Sequence, residues 1–158
     1  MLLKKETESY LTFKLDEEVF AINVAKVLEI LEIMPITKVP KSPPFMRGVI
    51  NLRGNILPVV DTRTKFGMSE ASFTIDTCII VLSIESGNEN TLIGAVVDSV
   101  LKVIDLSPDN IQPALSMGVV YKEEFITAMG KADKDFIMIL NIDKVFAVDE
   151  VPLAALDT

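Results

Sequence analysis

Phe45-Met46-Arg47-Gly48-Val49-Ile50-Asn51-Leu52-Arg53-Gly54-Asn55-Ile56-Leu57-Pro58-Val59-Val60-Asp61 wraps two apolar runs around one glycine turn flanked by arginine. It reads as a β-hairpin. With Gly54-Asn55 as a two-residue loop, which favours residues that tolerate positive φ, Arg53 pairs with Ile56, Asn51 with Pro58 and Val49 with Val60. Successive strand side chains alternate faces, so Ile50, Leu52, Leu57 and Val59 make an apolar face for a core. Asn51 and Arg53 then point away from it, and an arginine so placed is available to a partner.

Among 15 basic residues the only arginines are Arg47, Arg53 and Arg63, all in this neighbourhood. A guanidinium offers a planar fork of donors and stacks on flat groups, unlike lysine, which suits recognition or a buried ion pair. The competing reading is an intramolecular pair with Asp61 or another carboxylate, and it weighs more for Arg47 and Arg63 than for Arg53.

The 158 residues fit one domain of ordinary size, or two very small ones sharing a core. With 49% hydrophobic residues the chain has ample material for a globular core. A net charge of −8 makes the summed field repel phosphate backbones and anionic headgroups, which argues against nucleic acid. With no histidine, Ser-His-Asp and Cys-His catalysis, histidine-ligated metal sites and a phosphohistidine carrier are excluded. Neither a G-x-x-x-x-G-K-[ST] nor a G-x-G-x-x-G loop occurs, and Glu17-Glu18 and Glu123-Glu124 read as solvated faces. No enzymatic activity and no cofactor are expected. Cys78, in the run Cys78-Ile79-Ile80-Val81-Leu82, reads as a small buried hydrophobe. Residues 1–6 lack a secretory apolar segment, and no run of about 18 apolar residues spans a bilayer, so a cytoplasmic location is expected.

Leu11–Leu15 alternates apolar and polar, Asp16-Glu17-Glu18 turns, and Val19–Val24 returns as a second strand. Val27–Ile33 fits a short amphipathic helix or a strand, and its β-branched content favours a short turn followed by a strand. Residues 35–45, with Pro35, Pro40, Pro43 and Pro44, read as an extended surface connection. Pro58 assigns Ile56–Asp61 to an edge or bulged strand, and Thr62–Gly67 to a short helix closed by Gly67. Thr77–Ile84 and Leu92–Val97 form a second hairpin around Ser86–Asn90. Phe125–Gly130 and Phe136–Ile142 form another, turning at Lys131–Asp135.

Two of these hairpins, the one that opens the chain and the one over Thr77–Val97, are each followed by the pattern V-x-x-V-L-x-[IV], first as Val24–Ile30 and then as Val97–Val103, at one constant offset. The chain therefore reads as a pseudo-repeat with halves 10–67 and 76–147, whose strands can interleave. Many short strands with brief helical patches argue for two small β-barrels packed together, with a ligand site at the seam where both motif copies can meet.

Gly48-Val49-Ile50-Asn51-Leu52-Arg53-Gly54 with Pro58-Val59-Val60-Asp61, preceded by Phe20-Ala21-Ile22, Val27, Glu29-Ile30 and Val39-Pro40 and followed by Gly94, Val96-Val97-Asp98 and Val100, resembles the CheW family over essentially the whole chain. CheW proteins are adaptors of bacterial chemotaxis arrays. The resemblance implies a mainly β fold of two five-stranded SH3-like barrels around a shared hydrophobic core, in one domain over residues 1–158 of the free-standing type. It implies a non-enzymatic signalling adaptor whose partners are the cytoplasmic hairpin tip of methyl-accepting chemoreceptors and the regulatory domain of a CheA-type histidine kinase. The membrane is then met only indirectly, through receptors. The family's receptor groove carries over to Val27, Ile30, Val100 and Val103, with Glu29 and Arg53 as polar positions that set register, and Gly48, Asn51, Arg53 and Gly54 as the hairpin motif. The kinase contact belongs to the second barrel, at residues left unassigned. An adaptor of a related non-flagellar chemosensory pathway is the alternative within this class. Outside it stand a small β-barrel that binds nucleic acid, for which 6% aromatics and no Trp offer little platform, and an enzyme restricted to Asp, Glu, Lys, Ser or Tyr.

Overall fold

The computed structural model describes residues 7–86, 88–113 and 125–147; Glu123 and Glu124 lie outside them. Strands β1 (Glu8–Leu15) and β2 (Glu18–Asn23) form the first antiparallel hairpin, turning at Asp16 in the left-handed region, φ 59°. A 3-10 turn at Val24–Lys26, capped by the Asn23 side chain on the Ala25 N–H, leads into β3 (Val27–Glu32). The ambiguous apolar run is thus a short turn followed by a strand. The proline-rich connection is extended only as far as Val39, where Thr37 exchanges both backbone hydrogen bonds with Val49 at 2.8 Å; it then turns at Pro40-Lys41, with Lys41 at φ 61°, and again at Pro44-Phe45. Strands β4 (Met46–Leu52) and β5 (Asn55–Asp61) are the arginine hairpin. Helix α1 (Thr62–Lys65) follows, its Thr64 N–H bonded to the Asp61 carboxylate and its exit made by Gly67 at φ 75°. The chain continues as β6 (Cys78–Ser86), β7 (Glu89–Val97), β8 (Ser99–Leu106), β9 (Ile111–Pro113), β10 (Ile126–Ala132), β11 (Asp135–Leu140) and α2 (Ile142–Val145).

Two details of the arginine hairpin differ from the sequence reading. Its turn residues are Arg53 and Gly54, at φ 51° and 89°, and the pairs are Leu52 with Asn55, Asn51 with Ile56 and Val49 with Pro58. A tight loop with both central residues in the left-handed region matches the twist of the flanking strands. Here Asn51 locks it by accepting the Gly54 N–H at 2.8 Å. The turn moves back by one residue, so every side chain keeps its face: Ile50, Leu57 and Val59 are buried, Leu52 is half-buried and Asn51 is exposed. The second difference is that β5 is an interior strand, flanked by β4 and β7. Val49 spends both backbone groups on Thr37, so its pairing with Pro58 carries no hydrogen bond. The missing donor of Pro58 faces β7, whose ladder with β5 starts one residue later, at Val59 with Gly94.

The strands form a six-stranded sheet, β8-β1-β2-β11-β10-β9, and a five-stranded sheet, β3-β6-β7-β5-β4. Short β9 adds a sixth strand where five are expected. Both V-x-x-V-L-x-[IV] strands cross over: β3 leaves its own hairpin to pair with β6, and β8 leaves its own to pair with β1. Each sheet curls into a small SH3-like barrel; in the six-stranded one, a Cβ on Gly130 of β10 would stand 2.7 Å from Leu106 of β8.

Each sheet buries both faces, which explains the unbroken apolar run Ile79-Ile80-Val81-Leu82 in β6. Its Ile79 and Val81 join Ile50, Leu57, Val59 and Val96 inside the five-stranded barrel. Its Ile80, Leu82 and Ile84 enter a central layer between the barrels, shared with Leu11, Leu15 and Ile22 and with Phe13, Phe20, Phe66, Phe125 and Phe146. The other barrel interior holds Tyr10, Ala21, Leu106, Ala128, Ile137 and Ile139. Burying each large apolar side chain contributes about 1.5–3 kcal/mol, so the central layer, which takes residues from both sheets, makes neither barrel independent of the other.

Candidate protein-binding surface

Strands β3 and β8 are the outer strands of their sheets, and register decides where their side chains point. Val27 lies opposite Leu82 and Ile30 opposite Ile80, while Val100 lies opposite Phe13 and Val103 opposite Leu11. All four partners belong to the central layer. Residues directly opposite share a face, so Val27, Ile30, Val100 and Val103 all face the side of their sheets turned to the seam. Val27 and Val100 are half-buried and pack on the central layer, whereas Ile30 and Val103 are 45% and 55% exposed.

Glu29 stands apart from this group. It lies opposite Val81, whose side chain fills the five-stranded barrel, so it takes the other face of β3. There Arg53 Nη2 meets its two carboxylate oxygens at 2.9 and 3.0 Å. The pair joins β3 to the β4–β5 turn, the two edges of that sheet. Arg53 is therefore not a free cation, although its side chain stays 69% exposed. Gly48, Asn51 and Gly54 build the turn that presents it. Gly48 (φ 143°) lets Thr37 approach the backbone, and Asn51 and Gly54 close the loop.

Arg47 and Arg63 are structural. Arg47 binds Glu70 at 2.7 Å and stacks on Phe73 at 4.5 Å. Arg63 binds Asp98 at 2.5 Å and donates from Nε to the Ser69 carbonyl at 2.8 Å.

Leu28 and Leu101, 55% and 47% exposed, widen the apolar surface of the two edge strands. The motif already marked them, since they are its leucines, but the sequence did not show that each sits at a break in its ladder. On β8 the buried Thr12 hydroxyl fills the break, donating to the Lys102 carbonyl at 2.7 Å and accepting the Lys102 N–H at 3.1 Å.

A cleft of about 840 Å³ lies elsewhere, between the proline-rich connection and Glu70 and Phe73, and none of Val27, Glu29, Ile30, Arg53, Val100 and Val103 lines it. Among the described residues no His/Cys/Asp/Glu group is arranged to hold a metal, and no helix is long and apolar enough to cross a membrane. Cys78 is half-buried; burial pushes its thiol pKa up, and the Asp76 and Glu32 carboxylates add to this against a lowering backbone contact from Val100.

Comparison with known proteins places these features in a family. Residues 9–150 match the CheW-like domain. The chain is 32% identical to the chemotaxis protein CheW of Klebsiella aerogenes, covering 92% of this chain and 86% of that protein. It is 31% identical to the chemotaxis protein CheW of Rhizobium meliloti, over 89% and 88%. The crystal structure of the scaffolding protein TtCheW from Thermoanaerobacter tengcongensis superposes with a TM-score of 0.81 at 30% identity, covering 92% of this chain and 96% of that one.

Proposed function

Since this chain belongs to the CheW-like domain family, whose members are non-enzymatic scaffolds of chemotaxis, we propose that it couples the cytoplasmic tips of chemoreceptors to the regulatory domain of a CheA-type histidine kinase. The observation that carries the receptor half is the shared orientation of Val27, Ile30, Val100 and Val103 toward the seam. A receptor tip is a helical hairpin, and an amphipathic helix docks into an apolar groove by its i, i+3, i+4 anchors. The half-buried valines form the floor, and exposed Ile30 and Val103 form walls whose apolar surface leaves water on docking.

Arg53 sets register by exchanging partners. An exposed ion pair is worth only about 0–1 kcal/mol, so its fork leaves Glu29 for a receptor carboxylate at little cost, and Glu29 is freed for a receptor cation. Complementary charges of this kind fix orientation more than they add affinity. The kinase domain docks on the second barrel. We read the chain as one CheW-like domain of two interleaved halves, 10–67 and 76–147, acting in the cytoplasm and recruited to membrane arrays only through receptors.

Titration calorimetry with a receptor cytoplasmic fragment and, separately, the kinase regulatory domain tests this. Binding of both is expected; no heat from either at high micromolar concentration overturns it.

A further inference from the structure

Two charged clusters occupy corresponding places in the two halves, with opposite polarity. In the first, Arg63, the second residue of α1, meets Asp98 at the β7–β8 crossover at 2.5 Å and lies 3.9 Å from Asp16 in the β1–β2 turn. The same Asp98 oxygen accepts the Asp16 N–H at 2.7 Å. In the second, Asp143, the second residue of α2, lies 3.5 Å from Lys26 at the β2–β3 crossover. Lys26 also reaches Glu85, 3.4 Å away near the β6–β7 turn, and Asp143 accepts the Glu85 N–H at 2.9 Å. The cation is on the helix in one cluster and on the crossover in the other.

Each cluster ties a hairpin turn of one sheet to a short helix that follows a strand of the other, α1 after β5 and α2 after β11, across a crossover joining the two sheets. Asp98 and Lys26 stand between the two valines of V-x-x-V, two residues before Val100 and one before Val27. Whatever displaces either residue displaces the start of a seam strand.

We propose that the two clusters are latches that hold β3 and β8 at a set separation and thereby position Ile30 and Val103 across the seam. The latches are unequal. Arg63 is 13% exposed and held by three oxygens, whereas Lys26 is 28% exposed, is a single ammonium, and sits at 3.4 and 3.5 Å from its partners. Exposure and loose geometry weaken an ion pair, so the Lys26 latch is the side that yields. The positioning role stands on its own; only its consequence for binding rests on the adaptor reading.

The reversed polarity supplies the test. Lys26→Asp gathers three carboxylates and Asp143→Arg faces two cations, but the two together rebuild the polarity of the Arg63 latch. Spin labels at Ile30→Cys and Val103→Cys, in a Cys78→Ser background without any partner, report the seam by pulsed dipolar spectroscopy. Each single substitution should broaden or shift the distance distribution, and the double should restore it; Lys26→Met replaces Lys26→Asp if that variant does not fold by circular dichroism. In unlabelled protein that keeps Ile30 and Val103, receptor-tip affinity should fall by about fivefold or more in the singles and recover in the double. Distances unchanged in the singles, or a double as perturbed as they are, overturn the proposal. Distances that respond in the labelled protein, when the unlabelled protein with Ile30 and Val103 intact never binds a receptor tip, uphold the latches and overturn the adaptor reading instead.

Discussion

Arg53 and Glu29 meet at 2.9 Å across the two edges of the five-stranded sheet, although 69% of the arginine side chain lies in solvent. The contact joins β3 to the β4–β5 turn without a backbone ladder between them. An ion pair this exposed adds little to stability. Arg53→Ala should shift stability by no more than about 1 kcal/mol, or about 2–4 °C in Tm, while weakening receptor coupling. Differential scanning calorimetry beside a receptor pull-down checks both; a large fall in Tm would make the pair structural.

Ile30 and Val103 should separate binding from folding. Both are about half exposed, so Ile30→Asp or Val103→Asp should change stability by about 0.5 kcal/mol or less and weaken receptor-tip binding by about tenfold or more. Val27→Asp is the contrast. Its side chain packs on the central layer, and the urea midpoint should drop as well.

Gly48 and Gly54 both have positive φ, but only Gly48 is crowded. A Cβ on Gly48 would overlap the Thr37 carbonyl, whereas one on Gly54 meets nothing within 4 Å. Gly54→Ala should cost about 1 kcal/mol through backbone conformation alone. Gly48→Ala should cost about 3 kcal/mol or more, because strain adds to displacement of the proline-rich connection. Urea denaturation of the two variants gives the comparison.

Thr12 substitutes for a missing stretch of ladder. Its hydroxyl both donates to and accepts from the Lys102 backbone, so the near-isosteric Thr12→Val should leave those groups unpaired and cost about 1–3 kcal/mol. Hydrogen exchange should locate the loss in β8, with the Lys102 amide losing protection.

Cys78 should be a slow nucleophile. The thiolate is the reactive form, and burial chiefly raises its pKa. Alkylation by iodoacetamide at neutral pH should be slower than for free cysteine and should speed up as pH rises through the raised pKa. A rate at or above that of free cysteine would contradict the burial.

Strand positions were legible because alternation and β-branched runs are local signals, and so was the non-helical proline-rich connection, although its two turns were not. The register of the arginine hairpin was not, since it required a non-glycine residue, Arg53, to adopt a left-handed conformation that its neighbours enforce. Pro58 was misplaced to an edge or bulge for a similar reason. Whether a proline fits an interior strand depends on what Val49 bonds to, and that partner, Thr37, comes from outside the hairpin, in the connection that leads into β4.

The sequence by itself determined a β-rich chain without histidine chemistry, a cluster of three arginines around one hairpin, and a repeated valine motif after two hairpins. These follow from residue type and short-range order. Only the tertiary structure decided that each motif strand pairs with the hairpin that the other copy follows, β3 with β6 and β8 with β1, that Val27, Ile30, Val100 and Val103 therefore face the seam, and that Arg53 is held by Glu29. Those outcomes depend on which strands meet, and pairing is chosen by burial of both sheet faces across the whole chain.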